Sequence, residues 1–374
     1  MRQGQRLGKH PRSQRRRRFS QEECVMNITP GKLWGLRRLA DENGRFKMLA
    51  MDQTGPIVNP IKAALNVAHA PYHHIAAVKR LLGTYLAPKA SAVLIDPPLG
   101  YSATVDGISA RKGLLVATEW ATWEVTKNGR KSQNIPGWNP GVIRKIGGDG
   151  VKVNLWFRAD VSDDVKEHQL AYLNSVKRDC RENDIPFILE FLVYPFPDET
   201  QEAFNARRVE LVAGSLADTD IMNPEGVDVY KLEPPTETVD VPDPDAPDAA
   251  RIQKRFDDMA KGLGRPWVLL SAGSTPEDFL RLLTYAYRAG ASGYLAGRAI
   301  WSKAFSNFPD MAAMEKALAD QAPRIMDDLN ALTDRMATPW RENRNWENSV
   351  TASPAGEDFA PRYADFARTG NLVA

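Results

Sequence analysis

Val227-Asp228-Val229-Tyr230-Lys231-Leu232 is a short run of β-branched and aromatic residues carrying one lysine near its end. Six such residues, too few for a helix and rich in valine and tyrosine, read as a buried strand. Working back along the chain, the same kind of run recurs at Pro186-Phe187-Ile188-Leu189-Glu190-Phe191, at Gly150-Val151-Lys152-Val153-Asn154-Leu155-Trp156 and at Gly113-Leu114-Leu115-Val116-Ala117. Earlier still come Ala92-Val93-Leu94-Ile95 and Phe46-Lys47-Met48-Leu49-Ala50-Met51. Working forward, Trp267-Val268-Leu269-Leu270-Ser271 and Ser292-Gly293-Tyr294-Leu295-Ala296 complete the series. Between these runs, amphipathic patterns predict helices over about 72–86, 163–181, 202–216, 249–261 and 276–289, with a last one over about 311–336.

Strands that alternate with helices build a parallel sheet covered by helices. Eight of them in about 250 residues predict a (β/α)8 TIM barrel of the α/β class. The competing arrangement, an open doubly wound sheet, calls for a glycine-rich turn after the first strand, and Asp52-Gln53-Thr54-Gly55-Pro56 does not supply one. The expected organisation is a basic, disordered arm over 1–25, a single barrel domain over 26–338 and a polar extension over 339–374. The extension keeps Trp340, Trp346, Phe359, Tyr363 and Phe366, which predicts partial docking. The third repeat is irregular: a Gly/Pro/Trp-rich stretch between Glu119 and Gly150 stands where a helix is due. The acidic, proline-rich segment 233–248 predicts an extended loop after the sixth strand.

Composition narrows the function classes. The 374 residues are 43% hydrophobic and 26% charged, an ordinary globular balance. No run approaches the roughly 18 apolar residues of a membrane span, so no membrane partner is expected. The net charge of +2 conceals an asymmetry: residues 1–25 hold eight Lys or Arg and two Glu, so the remainder nets −4. An acidic body does not suggest a nucleic-acid groove. Arg16-Arg17-Arg18-Phe19 looks like a twin-arginine signal, but Ser20-Gln21-Glu22-Glu23 follows instead of an apolar stretch, and a cytoplasmic protein is expected. The two cysteines, Cys24 and Cys180, have no metal-type spacing, and His69 and His73 lack a further nearby ligand, so no metal site is expected.

Barrel chemistry collects at the C-terminal strand ends. There the chain places Asp52, Asp96, Glu119, Lys152, Glu190, Lys231, the turn Ser271-Ala272-Gly273 and the turn Gly297-Arg298. Lys231 is the sharpest of these. Only a neutral lysine is a nucleophile, and at an ordinary pKa of about 10.4 almost none is neutral at pH 7, so burial and a second cation are needed. Lys152 is the candidate for that cation. The structural alternative is that each lysine reaches solvent or pairs with a neighbouring glutamate. Glu190, in so apolar a run, must pair with a buried lysine or serve as an acid/base. Asp52 has the same two readings, with Gln53 beside it able to bond hydroxyls. Asp96 and Glu119 are less specific and fit helix capping or loop fixing equally well. The two small turns after strands seven and eight, with Arg298 adding a charged fork, have the character of a phosphate site.

At these residues the sequence resembles the class I tagatose-1,6-bisphosphate aldolase family, to which sulfofructose-phosphate aldolase belongs. The resemblance runs from about Leu36 to Trp301. It is carried by Leu-Ala-Met-Asp52-Gln53, Val-Lys152, Leu-Glu190, Val-Tyr-Lys231-Leu-Glu, Leu-Ser271-Ala272-Gly273 and Ala-Gly297-Arg298-Ala-Ile-Trp301. It implies metal-free aldol chemistry without a cofactor on a ketose 1-phosphate or 1,6-bisphosphate. Lys231 would be the Schiff-base lysine, Glu190 and Lys152 its catalytic partners, Asp52 and Gln53 substrate contacts, and Ser271, Ala272, Gly273, Gly297 and Arg298 the phosphate turns. The partner implied is a small sugar phosphate, and a homo-oligomer is compatible with the sequence. One departure stands out: the family commonly has Arg after Asp-Gln, and this chain has Thr54. A sulfosugar-phosphate aldolase, a weakly catalytic sugar-phosphate sensor and a metal-dependent aldolase are the alternatives.

Overall fold

A computed structural model describes residues 28–120, 124–343 and 357–369. Ten strands are present: β1 (Phe46–Ala50), β2 (Ala92–Ile95), β3 (Gly113–Ala117), β4 (Glu124–Thr126), β5 (Gly129–Lys131), β6 (Gly150–Trp156), β7 (Phe187–Leu192), β8 (Val229–Leu232), β9 (Trp267–Leu269) and β10 (Gly293–Ala296). Eight are parallel and close into a barrel in the order β1-β10-β9-β8-β7-β6-β3-β2. The remaining two, β4 and β5, form a hairpin inserted after β3.

Each barrel strand is apolar on both faces because one face meets helices and the other fills the cylinder. Met48, Ala50, Leu94, Leu115, Ile188, Val229, Val268 and Leu295 form one cluster with Leu36 and Leu39. Val93, Val116, Val151, Val153, Leu189, Tyr230 and Leu269 belong to the second and larger cluster, which includes the surrounding helices. Leu36 and Leu39 come from the helix Pro30–Leu39, which precedes the first strand and closes the barrel floor. Asp184, at the start of β7, accepts from the Gly31 amide (2.7 Å) and the Tyr363 hydroxyl (2.7 Å). Tyr363 lies on the helix Phe359–Thr369, whose Phe366 is buried.

Local signals fix the helices. The helix Pro276–Arg288 starts on Thr275, whose side chain accepts from the Asp278 amide, with Pro at its first turn and Arg288 in its last. The helix Gly55–Leu65 carries Pro56 and Pro60, which mask its periodicity. The acidic segment after β8 is pinned rather than loose: Val241 is buried, its amide donates to Asp278 (2.9 Å) and Arg281 donates to its carbonyl (2.7 Å). No described helix is long and apolar enough to cross a membrane.

Barrel closure has a tight point. Gly293 has φ +150°, and a Cβ there would lie 2.0 Å from the Phe46 carbonyl oxygen, its register partner across the β1–β10 seam. Replacement Gly293→Ala is expected to cost about 3 kcal/mol or more by forcing that seam apart, read as a lower urea midpoint with unchanged slope.

Candidate active site

In a strand, alternate residues share a face. Lys152, Asn154 and Trp156 of β6, Glu190 and Leu192 of β7, and Lys231 of β8 therefore point inward, and all six line one cavity of about 690 Å³ at the barrel mouth. Glu190 and Lys231 are register partners on adjacent strands. The Lys231 Nζ lies 2.7 Å from Glu190 Oε1, and the other oxygen of the same carboxylate lies 2.8 Å from Lys152 Nζ. Lys152 also meets Asp52 Oδ2 at 2.8 Å and Glu119 Oε1 at 2.7 Å. Two ammoniums and three carboxylates thus form one chain of contacts with Glu190 at its centre. Lys152 is 2%, Lys231 3% and Glu190 5% exposed, so water screens them little.

The cluster fixes several ionisation states. Burial alone would pull Lys152 down; Asp52, Glu119 and Glu190 outweigh it and hold the ammonium well above the ordinary lysine range. Burial also works to raise Asp52, but Lys152 and, behind it, Lys231 override this and hold the carboxylate below its usual range. Burial lifts Glu119 against the pull of Lys152. Two residues beyond Lys231, burial pushes Glu233 up to about 7 in spite of Arg208 at 3.5 Å.

Beside this cluster lies a buried pair, Lys79 and Asp96. Lys79 also donates to the Met51 carbonyl (2.8 Å), and Asp96 accepts from the Leu99 amide (2.9 Å), which fixes the loop after β2 against the end of β1. Four buried oxygens of lining residues have no protein donor: Asp52 Oδ1, Gln53 Oε1, Glu119 Oε2 and Asn154 Oδ1. All four residues line the cavity. Unpartnered buried acceptors are costly, and a ligand rich in hydroxyl donors would satisfy them.

The opposite wall is suited to an anion. Ser271, Ala272, Gly297 and Arg298 line the cavity. Arg298 opens the eight-residue helix Arg298–Phe305, whose first amides have no intrahelical acceptor. Gly273 is not in the lining; it has φ +85°, and a Cβ on it would lie 3.3 Å from an Arg298 guanidinium nitrogen, so it leaves room for that side chain. The preceding Ala272 is also left-handed, at φ +48°.

Nine of the ten residues singled out in the sequence therefore line one cavity, and Gly273 supports it. Lys152 is not at a strand end but third of seven residues in β6, pointing up the barrel. Beyond these, the sequence named Glu119 only as a less specific group, and four contributors, Asn154, Trp156, Trp120 and Ile135, went unrecognised. Glu119 is a direct partner of Lys152, not merely a loop-fixing group. Asn154 and Trp156 were signalled by their even spacing from Lys152. Trp120 and Ile135 flank the β4–β5 hairpin, and the Trp120 amide donates to the Gln133 carbonyl (2.7 Å). Lys127-Asn128-Gly129 between two short polar runs was the available turn signal.

In sequence and in fold the chain is similar to known aldolases. Residues 46–303 match the family model described as DeoC/LacD family aldolase. The chain is 29% identical over 331 residues to tagatose 1,6-diphosphate aldolase 1 of Streptococcus mutans, spanning 85% of this chain and 100% of that one. It is 30% identical over 328 residues to the tagatose 1,6-diphosphate aldolase of Staphylococcus haemolyticus, spanning 84% and 99%. Among solved structures it resembles a Schiff base forming fructose-1,6-bisphosphate aldolase, with TM-score 0.51, 17% identity, and 80% and 98% of the two chains covered. It also resembles the fructose-bisphosphate aldolase of Plasmodium falciparum, with TM-score 0.56, 13% identity, and 84% and 99% covered. These two likenesses are of fold.

Replacement Lys152→Met removes the cation shared by three buried carboxylates. It is expected to cost about 3–5 kcal/mol near pH 7. Asp52, held low in the intact protein, contributes stability above its unfolded pKa that is lost as pH falls through its folded value. In the variant that contribution is gone, so the difference between the two proteins should shrink in acid. Urea titrations at pH 7 and at about pH 3, below the ordinary carboxylate value of 3.8, measure it.

Proposed function

The chain belongs to the DeoC/LacD family of aldolases, and on that footing we propose a class I reaction in which Lys231 forms an imine with the C2 carbonyl of a phosphorylated ketose. The observation that carries this reading is the buried Lys231–Glu190 contact of 2.7 Å, open to a cavity with an anion-binding wall. The relatives' names make tagatose 1,6-diphosphate the first ketose to try, with dihydroxyacetone phosphate and a three-carbon aldehyde as products.

The steps follow from the groups present. Lys231 passes a proton to Glu190, and the free amine attacks C2. Loss of the C2 oxygen as water, with a proton returned by Glu190, leaves an iminium ion. Glu190 then takes the proton of the C4 hydroxyl; the C3–C4 bond breaks, its electron pair moves into the iminium, and the aldehyde departs. The remaining enamine takes a proton at C3, and water releases dihydroxyacetone phosphate and the lysine. Lys152, fixed as a cation by its three carboxylates, holds Glu190 in register and faces the oxygens on which charge changes. Arg298 and the amides of its helix hold the C1 phosphate, while Asp52, Gln53, Glu119 and Asn154 offer acceptors to the chain hydroxyls.

Borohydride added with dihydroxyacetone phosphate should leave a reduced adduct on Lys231, located by peptide mass. An unmodified Lys231 after complete turnover would remove the imine from the scheme. Replacement Glu190→Gln should lower kcat about 10²–10⁴-fold with a smaller change in KM. Replacement Arg298→Ala should weaken phosphate-bearing substrates at least about tenfold more than unphosphorylated analogues, as expected for a charge-assisted contact; equal losses for both would make its role structural.

A further inference from the structure

The barrel order sets the two ends of the cavity apart. β9 and β10, which carry Ser271 and Arg298 at their ends, stand diametrically opposite β3 and β6 in the closed ring. The wall over β3 and β6 is made by Trp120, Ile135 and Trp156, continued by Leu192 at the end of β7 and by Pro98 and Leu99 beyond β2. The charged groups that line the cavity are three cations, Lys152, Lys231 and Arg298, and four acids, Asp52, Asp96, Glu119 and Glu190. Lys152 is bonded to three of the acids, Lys231 to Glu190, and Lys79 from behind the wall answers Asp96. Among the described residues, Arg298 is the lining cation that none of these acids occupies.

A phosphate brings a charge of about −1.5 to −2 at neutral pH. One such group is matched by Arg298 and a helix start. A second, at the far end of a six-carbon chain anchored there, would press against indole rings, a branched aliphatic side chain and acids. The wall is half-buried, and an unpaired charge held against it gives up part of its hydration with no matching cation in return. Behind the wall, Arg130 stacks on the Trp156 and Tyr194 rings at 4.5 and 4.4 Å and does not line the cavity.

We infer that the substrate is a ketose monophosphate whose end remote from the C1 phosphate is uncharged, and that the aldehyde half is a neutral, partly apolar three-carbon unit such as a hydroxy or deoxy aldehyde. This rests on the imine reading above, and it sets the chain apart in substrate from the bisphosphate aldolases it resembles. The wall of Trp120, Ile135 and Trp156 is its selectivity element, favouring a methyl or hydroxymethyl terminus over an anionic one.

The test is cleavage by the full chain of tagatose 1-phosphate, 6-deoxytagatose 1-phosphate and tagatose 1,6-bisphosphate, with the fructose counterparts, alongside borohydride trapping of dihydroxyacetone phosphate on Lys231. The expected result is a trapped adduct and a kcat/KM at least about tenfold higher for a monophosphate than for its bisphosphate. A trapped adduct with the bisphosphates preferred would overturn the inference and leave the imine standing. Absence of any adduct would end both. Two variants sharpen the outcome. Replacement Ile135→Arg, which sets a cation in the far wall, should move the bisphosphate-to-monophosphate ratio upward by about tenfold. Replacement Arg130→Ala should leave that ratio as it is; a loss confined to the bisphosphate would mean that Arg130 reaches the far end, and the inference would fall. Because the Arg130→Ala and wild-type ratios decide the matter by themselves, misfolding of the Ile135 variant would not leave it open.

Discussion

One carboxylate shared between two buried ammoniums organises this molecule. Glu190 gives one oxygen to Lys231 and the other to Lys152, and for Lys231 it is the one carboxylate at salt-bridge distance among the described residues. Isolated charges are costly in such a place, whereas a chain of opposite charges at hydrogen-bond distance is tolerated. The remaining acids, Asp52 after β1 and Glu119 after β3, come from the side of β6 away from β7 and complete the shell of Lys152. The fold serves this cluster: parallel strands in register bring Glu190 next to Lys231, and closure brings β1 and β3 to bear on β6.

The arrangement also divides labour between the two lysines. Lys152 is locked as a cation, which in the proposed reaction leaves it to orient and stabilise while Lys231 attacks. Lys231 shares a single carboxylate, which is also the nearest base to the cavity. A nucleophile with one partner can exchange its proton with that partner, while a cation with three cannot readily lose its own. Two residues of the same chemical type thus acquire different duties from the number of acids around each, as paired carboxylates do elsewhere.

Much of this was legible in the sequence because charge stands out against a buried strand. Lys231, Glu190 and Asp52 each interrupt or end an apolar run, and the strand-plus-helix rhythm assigned those runs to a barrel. Glu119 was underweighted because its strand ends at Ala117 and the polar Thr118 stands between, so no apolar context surrounds it. Asn154 and Trp156 were hidden by the outward Val153 and Leu155, which make the strand read as uniformly apolar. The helix Gly55–Leu65 was obscured by its two prolines, and the helix Pro30–Leu39 precedes the first strand that sets the rhythm. No local signal says which acid meets which lysine, since that depends on ring closure between segments up to 100 residues apart, as with Asp52 and Lys152. The apolar character of the far wall was equally invisible, because it is assembled from the last residues of β6 and β7, the loop after β2 and the segment flanking the hairpin.

The clasp at Asp184 has a consequence of another kind. It binds the helix Pro30–Leu39 and the helix Phe359–Thr369 to the same point beneath β7, on the side of the cylinder away from the reacting cavity. An attachment made just outside either helix would sit below the floor. Enzyme tethered to a bead or a neighbouring catalyst through such a linker would present its opening outward, leaving sugar traffic unobstructed.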